Sequence, residues 1–275
     1  MRARTTAVLA VAALVAAAAL ALSGCSASPA GTSTPSAADS GPTTSGRLTV
    51  YAAASLQTAF DEIAAAFTAA NPDVTIDPID YDGSSTLVTQ IEGGAEVDVF
   101  ASADQANMQK LVDAKLATGE TPVFATNTLV VVVGKGNPLH LSSLKDLADP
   151  SVQTVLCAAG VPCGTAAHRL LDLAGVTLTP VSEEQNVTAV LTKVESGEAD
   201  AGIVYSTDAK DAADKVDSFV PPASEVDVGK VVNQYPITVL DGAKHRDVAQ
   251  AFIDFVTGSQ GQSILADLGF GTRSN

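Results

Sequence analysis

Short apolar segments alternate with amphipathic ones along most of this 275-residue chain, and this alternation limits the fold more than any other feature. Strands are predicted at short apolar runs, such as residues 129–133, where β-branched residues follow one another, and residues 201–205. Helices are predicted where apolar residues recur every three or four positions, as at Leu56, Phe60 and Ile63. Such alternation favours an α/β fold with mostly parallel sheets flanked by helices. In such sheets, ligands bind beyond the carboxyl ends of the strands, next to helix N-termini.

The first 25 residues have the features of an export signal. Arg2 and Arg4 precede an apolar stretch at residues 7–22, which is too short and too rich in alanine for a good membrane-spanning helix. The stretch ends in the sequence LSGC, whose last residue is Cys25. This ending resembles a lipobox, in which the cysteine is lipidated and becomes the first residue. An ordinary cleaved signal with a chance cysteine is the alternative.

The segment after the signal predicts a tether. Residues 26–45 consist of Ser, Ala, Pro, Gly and Thr, apart from Asp39, so they have little to bury and are expected to be disordered. With a lipid on Cys25, the tether would hold a globular body at the extracytoplasmic face of the cell membrane. The body, from residue 46 to 275, is long enough for two α/β lobes or one large domain.

The mature chain is strongly acidic. Removing Arg2 and Arg4 with the signal leaves 13 basic against 31 acidic residues, a net charge of −18 with the histidines neutral. Nucleic-acid binding is therefore not expected, because a phosphate backbone would be repelled. The same charge excludes long-range attraction of anions, so an anionic ligand has to be held by local dipoles and hydrogen bonds.

Four junctions that lead into predicted helices carry small or capping residues. They lie at Ser55, Ser84, Cys163 and Val187. Ser55 is expected to be the N-cap of its helix, and residues 81–85 are predicted to be a loop. Each junction exposes backbone N–H groups at the positive end of a helix dipole, which suits an anion. For any single junction, a capped helix that faces water is the simpler interpretation.

The body contains two cysteines, Cys157 and Cys163, six residues apart. In an exported protein such a pair often forms a disulfide, and free thiols or a metal pair are the alternatives. His140, His168 and His245 are scattered along the chain, so no histidine cluster supports a metal site.

An ordered series of segments resembles the molybdate-binding proteins of bacterial ABC importers, a branch of the two-lobed periplasmic-type solute-binding proteins. The resemblance runs from about residue 47 to residue 271. In chain order, the matching segments are YAAASL at 51–56, SSTL at 84–87 with QI at 90–91, ASADQ at 101–105, VPCG at 161–164, NV at 186–187, GIVY at 202–205 with Asp208, YP at 235–236 and GF at 269–270.

The resemblance implies a set of ligand-binding residues. In that family two serines, two backbone N–H groups and one tyrosine hydroxyl hold an oxyanion. The matching positions are Ser55 and Ser84 for the serines, Cys163 and Val187 for the N–H groups, and Tyr205 for the hydroxyl. The ligand would be molybdate, and tungstate as well; no cofactor is implied, and the only metal would be that of the bound oxyanion. Asp82 departs from the family pattern, and a carboxylate two residues from Ser84 works against pure dianion selectivity.

Domain limits and partners follow from the same resemblance. Lobe one would take residues 46–126 and 236–275, and lobe two would take residues 127–235, with a hinge near Asn127 and Tyr235. The protein would be a monomeric lipoprotein without enzymatic activity that delivers its ligand to the membrane permease of an ABC importer.

Besides a structural or adhesive lipoprotein, in which the capped junctions would point in unrelated directions, two alternative functions stay open at this point. The first is a binding protein for sulfate, phosphate or another small oxyanion. The second is a cell-envelope hydrolase with Ser55 as its nucleophile, which would need a histidine or lysine within hydrogen-bond reach of that serine. No motif in the sequence ties a histidine to Ser55.

Overall fold

The computed structural model describes residues 44–272. The predicted signal with Cys25 and the tether up to residue 43 lie outside the described residues. The strands are β1 Gly46–Leu48, β2 Val50–Ala53, β3 Val74–Ile76, β4 Asp80–Asp82, β5 Val99–Ala101, β6 Val123–Gly134, β7 Thr154–Cys157, β8 Ser182–Glu184, β9 Ala201–Tyr205, β10 Val216–Phe219, β11 Val232–Val239 and β12 Gly271–Thr272.

Helices lie between these strands, as the alternating sequence predicts. They are α1 Gln57–Ala70, α2 Ser84–Glu92, α3 Gln105–Asp113, α4 Pro162–Ala174, α5 Val187–Glu195, α6 Ser206–Asp211, α7 Arg246–Thr257 and α8 Ser259–Leu268. The α/β architecture is therefore confirmed. Within residues 44–272, no helix has the length and the apolar character needed to cross a membrane.

One large sheet positions the strand ends that lie next to the predicted site residues. Its order is β4-β2-β5-β11-β6-β9-β7-β8. The strands β4, β2 and β5 on one side and β9, β7 and β8 on the other pair in parallel. The central strands β11 and β6 pair antiparallel with each other and with their outer neighbours. The carboxyl ends of β2, β4, β7 and β8 each lead into a segment that carries a predicted site residue, and β9 ends at another such residue, Tyr205.

The region around residue 81 differs from the prediction. Residues 80–82 form the edge strand β4 instead of a loop, and Ala53 pairs with Asp82 in parallel. A three-residue strand is too short to show a periodic pattern, and its pairing with β2 depends on distant parts of the chain. The connection to α2 is thereby reduced to Gly83, which is the N-cap position of that helix.

The buried apolar side chains form three clusters. The largest draws on residues 129–231, together with Ala54. The second draws on residues 48–125 and 235–270, and the third on residues 87–117 with Leu240. Strand β6 contributes to the first two, because its early residues join the second cluster and its later residues join the largest. Burial of apolar surface is the main stabilising term, at about 25 cal/mol per Å².

Candidate functional site

A small cavity, which leaves about 10 Å³ for the centre of a water molecule, lies where the predicted site segments meet. All five positions taken from the family resemblance line it. They are Ser55, Ser84, Cys163, Val187 and Tyr205. Residues up to 150 positions apart in the chain therefore meet in one place. Capped helices that each faced water independently would not bring these residues together.

The wall of the cavity is built from the first turns of helices. A 3₁₀ turn at Ala54–Leu56 leads into α1, and α2, α4 and α5 begin at Ser84, Pro162 and Val187. The first N–H groups of a helix have no intrahelical acceptor, and the helix dipole adds about half a positive charge there. Among residues 44–272, no lysine, arginine or histidine lines the cavity. Its positive potential therefore comes from peptide groups rather than from basic side chains.

The prediction that Ser55 is an N-cap is wrong. Ser55 lies inside the 3₁₀ turn, whose N-cap residue is Ala53, and Ala53 makes no side-chain capping hydrogen bond. Ser55 is 9% exposed as a residue, and its hydroxyl lies 3.0 Å from the Tyr235 hydroxyl. The sequence pattern missed this because the partner comes from a strand 180 positions away. The hydroxyl is held by the sheet and not by its own helix.

The second serine is also held by a neighbouring strand end. Ser84 is 1% exposed and is the first residue of α2. Its Oγ accepts a hydrogen bond from the backbone N–H of Ala103 at 3.0 Å. Because one lone pair is used in this way, the hydrogen of the Ser84 hydroxyl is free to point to another acceptor.

Tyr205 ends strand β9 and is almost fully buried. Its hydroxyl accepts a hydrogen bond from Nδ2 of Asn233 at 3.0 Å. Its ring packs against Tyr235 in an edge-on arrangement, with the ring centroids 5.9 Å apart. Burial is the main cause that raises the pKa of both tyrosines well above the ordinary value. Both hydroxyls therefore keep their protons at neutral pH and can donate them.

Cys163 is the second residue of α4, and the structure joins it to Cys157 at the end of β7. The Cα atoms of the two cysteines are 5.7 Å apart. The sulfur is used in this bond, so what Cys163 offers to the cavity is its backbone N–H. Val187 likewise begins α5 with a buried apolar side chain, and its N–H is the group that suits a ligand.

The carboxylate of Asp82 lies in the cavity wall, as its place in the sequence suggested. Its Oδ1 accepts two hydrogen bonds of 2.7 Å, one from the N–H of Gly83 and one from Nδ2 of Asn186. The Oδ1 of Asn186 accepts from the N–H of Ala189 and so caps α5. One oxygen of Asp82 is thus tied to the chain that leads into α5.

Sequence reasoning did not assign a role to Asn233. This residue is 8% exposed and lies in β11, two residues before Tyr235. Its neighbours Val232 and Gln234 are exposed, whereas Asn233 and Tyr235 are buried. A signal was present, because strand residues two apart share a face and an amide on a buried face needs partners.

The geometry around Ser55 gives no support to a hydrolase. The hydrogen-bond partner of its hydroxyl is Tyr235, and none of the three histidines lines the cavity. His168 lies beside Glu183, and His245 lies beside Asp98. Over residues 44–272, no group of three or more His, Cys, Asp or Glu side chains is placed to hold a metal ion.

The sequence matches a family of solute-binding proteins and individual proteins of that kind. The sequence model of the family described as bacterial extracellular solute-binding proteins matches residues 48–271. The molybdate-binding protein ModA of Mycobacterium tuberculosis strain H37Rv is 44% identical over 241 residues, which cover 87% of this chain and 90% of that protein. A Bacillus subtilis protein, YvgL, named as an ABC transporter substrate-binding lipoprotein, is 30% identical over 81% of this chain and 85% of its own.

A solved structure agrees at the level of the fold. The periplasmic molybdate-binding protein of Azotobacter vinelandii superposes with a TM-score of 0.69 and 22% identity, over 82% of this chain and 100% of that one. The protein thus has a two-lobed binding-protein fold, and its relatives bind solutes and are not enzymes. The chain belongs to the family of bacterial extracellular solute-binding proteins.

Proposed function

We propose that this protein is the substrate-binding component of an ABC importer for molybdate and that it also binds tungstate. The ligand is suggested by the Mycobacterium tuberculosis relative, which is named a molybdate-binding protein. The observation that carries the proposal is the convergence of Ser55, Ser84, Cys163, Val187 and Tyr205 on one cavity that lacks basic side chains among the described residues.

The chemistry of the cavity fits a fully deprotonated tetrahedral anion. Every oxygen of molybdate or tungstate only accepts hydrogen bonds at neutral pH, and hydroxyl and peptide N–H groups donate them. Hydrogen bonds to a charged group contribute about 1.5–3 kcal/mol each, and exclusion of water strengthens them. Hydrogen phosphate also carries a proton that needs an acceptor. Among residues 44–272, Asp82 is the one carboxylate in the wall, and its Oδ1 already accepts two hydrogen bonds from N–H groups.

The proposed ligand would join two lobes. Lobe one comprises residues 46–126 and 236–275, and lobe two comprises residues 127–235. The division is supported by the two largest buried clusters, which follow it except for Ala54 and Tyr235. Ser55 and Ser84 would come from lobe one, and Cys163, Val187 and Tyr205 from lobe two. The hinge near Asn127 and Tyr235 would lie in β6 and β11, the antiparallel pair of strands that connects the two lobes. Because the ligand would contact both lobes, their closure around it would be the signal for binding.

A lipid on Cys25 would anchor the protein on the extracytoplasmic face, where a monomer would deliver its ligand to the permease. The LSGC sequence and the Bacillus subtilis relative named as a lipoprotein support this. In the native host, Cys25→Ser is expected to move the protein out of the membrane fraction. A Cys25→Ser protein that stays in the membrane fraction would contradict the lipid anchor.

Isothermal titration calorimetry tests the choice of ligand. Molybdate and tungstate are expected to bind at one site per chain, with sulfate and phosphate at least about tenfold weaker, which corresponds to about 1.4 kcal/mol. Sulfate or phosphate that binds as tightly as molybdate would overturn the proposal in favour of another oxyanion. Absence of binding by all four anions would overturn the oxyanion site itself.

A further inference from the structure

A buried amide lies directly behind the hydroxyl of Tyr205. Nδ2 of Asn233 donates to the carbonyl oxygen of Ala103 at 2.9 Å and to Oη of Tyr205 at 3.0 Å. Asn233 does not line the cavity that Ser55, Ser84 and Tyr205 share. Any effect that it has on a ligand there has to pass through Tyr205 or Ala103.

The orientation of this amide follows from its partners. A backbone carbonyl only accepts hydrogen bonds, so the group of Asn233 that faces Ala103 has to be the NH₂ group. The same NH₂ group directs its second hydrogen to Tyr205. The opposite orientation would place two acceptor oxygens against each other at the Ala103 carbonyl, with no hydrogen between them.

The direction of the Tyr205 proton follows in turn. A phenol has one hydrogen to donate, and Asn233 already supplies a hydrogen to the oxygen of Tyr205. The phenolic hydrogen is left for an acceptor in the cavity or for the neighbouring hydroxyl of Tyr235, whose ring packs against Tyr205. Hydrogen bonds to a charged acceptor are roughly twice as strong as those between neutral groups. An anion in the cavity would therefore take this hydrogen.

The same contacts reach the second serine. The carbonyl of Ala103 accepts from Asn233, and the N–H of Ala103 donates to Oγ of Ser84. One peptide group and one side-chain amide thus supply hydrogens to two hydroxyls of the cavity. Both hydroxyls keep their own hydrogens for another acceptor.

We infer that Asn233 is a positioning residue that makes Tyr205 a hydrogen-bond donor toward the bound oxyanion, an inference that rests on the proposed function. Asn233 does so without touching the ligand. Its loss lets the Tyr205 hydroxyl rotate among several partners, and the ligand then has to restrict that rotation when it binds. The contribution of Tyr205 to affinity therefore depends on Asn233.

A double-mutant cycle tests this dependence, with molybdate as the probe and calorimetry as the readout. Asn233→Leu is expected to weaken molybdate binding about tenfold, in the range of a hydrogen bond to a charged group. Tyr205→Phe, which removes the hydroxyl, is expected to weaken binding at least as much. In the Tyr205→Phe background, Asn233→Leu is expected to have little further effect, because the hydroxyl on which it acts is absent.

Gln234→Leu is the matched control, since Gln234 is the next residue of β11 and is exposed; it is expected to bind molybdate like the wild type. Thermal unfolding of each variant separates lost affinity from lost folding. If Asn233→Leu does not fold, Asn233→Ala takes its place in the same cycle. We then expect a smaller loss of affinity for molybdate.

The outcomes separate the two proposals. Wild-type affinity in Asn233→Leu, or losses that multiply fully in the double variant, would overturn the role of Asn233 and leave the proposed function intact. A wild-type protein that binds no molybdate would overturn the proposed function, and the inference about Asn233 with it. A double variant that binds like Tyr205→Phe alone supports the positioning role.

Discussion

The backbone of Gly83 lies so close to Gln185 that a Cβ atom built on Gly83 would sit 2.0 Å from the carbonyl oxygen of Gln185. The adjacent residues Asp82 and Asn186 are joined by a hydrogen bond of 2.7 Å. The end of β4 is thus pressed against the end of β8 at the rim of the cavity. These two ends belong to different proposed lobes, so the contact at Gly83 is one that closure of the lobes would form.

Gly83→Ala is therefore expected to weaken molybdate binding by about tenfold or more while the unliganded protein stays folded. The methyl group would meet a backbone oxygen that cannot rotate away, so the two ends have to separate. Calorimetry with molybdate and thermal unfolding without ligand measure the two effects.

Gly119→Ala is the control for that substitution, because a Cβ atom at Gly119 meets nothing within 4 Å. It is expected to keep wild-type affinity. If Gly83→Ala binds molybdate as tightly as Gly119→Ala, the contact with Gln185 is not needed for binding.

Adjacent serines at the start of α2 offer a second comparison. Ser84 lines the cavity, whereas Ser85 does not. Ser84→Ala removes a proposed donor and is expected to weaken molybdate binding about tenfold or more, whereas Ser85→Ala is expected to leave it unchanged. Ser55→Ala is expected to behave like Ser84→Ala without unfolding the protein. Calorimetry that finds equal affinities for the Ser84 and Ser85 variants would contradict the assignment.

The disulfide between Cys157 and Cys163 closes a short loop in front of α4. Replacing both cysteines by serine is expected to lower the free energy of unfolding by about 2 kcal/mol, through the greater freedom of the unfolded chain. It is also expected to weaken tungstate binding, because the N–H of Cys163 lies in the segment that the bond holds. Thermal unfolding and calorimetry check both effects, and unchanged values in both would show that the bond has neither role.

Asp208 gives the protein a defined pH dependence. Burial is the main cause that raises the pKa of this carboxyl to about 7, Asp211 adds to the rise, and a hydrogen bond from the N–H of Tyr205 opposes it. Between about pH 4 and pH 7 the folded protein binds a proton that the unfolded chain has lost. The free energy of unfolding is therefore expected to fall as pH rises through this window, by up to about 4 kcal/mol.

Other carboxyl groups affect the free energy of unfolding in a different pH range. Several, including Asp77, Asp146 and Glu184, have a lowered pKa because of hydrogen bonds from neighbouring groups. They stabilise the fold above their ordinary pKa, and this contribution is lost only at more acidic pH.

Denaturant unfolding of the wild type and of Asp208→Asn, measured from pH 5 to pH 8, isolates the effect of Asp208 on the free energy of unfolding. The slope is expected to flatten in Asp208→Asn, and equal slopes would contradict the account.

The sequence predicted the α/β architecture because period-2 and period-3.6 patterns are local. It also identified the five cavity residues, through their resemblance to a family and not through periodicity. What it could not predict are contacts that depend on the order of strands in the sheet. Tyr235 meets Ser55 across 180 positions, and β4 becomes a strand only because β2 lies beside it. For Asn233, the local sequence held one signal of a role in the site, namely its place on the same face of β11 as Tyr235.

The proposed function requires one deprotonated oxyanion to bind between the five uncharged donor groups of the cavity. A crystal structure of the protein with tungstate tests it most directly, because anomalous scattering locates the tungsten atom without prior assumptions. We expect one strong peak, enclosed by the hydroxyls of Ser55, Ser84 and Tyr205 and by the N–H groups of Cys163 and Val187. A peak outside this cavity, or no bound tungstate at concentrations that saturate the protein in solution, would contradict it.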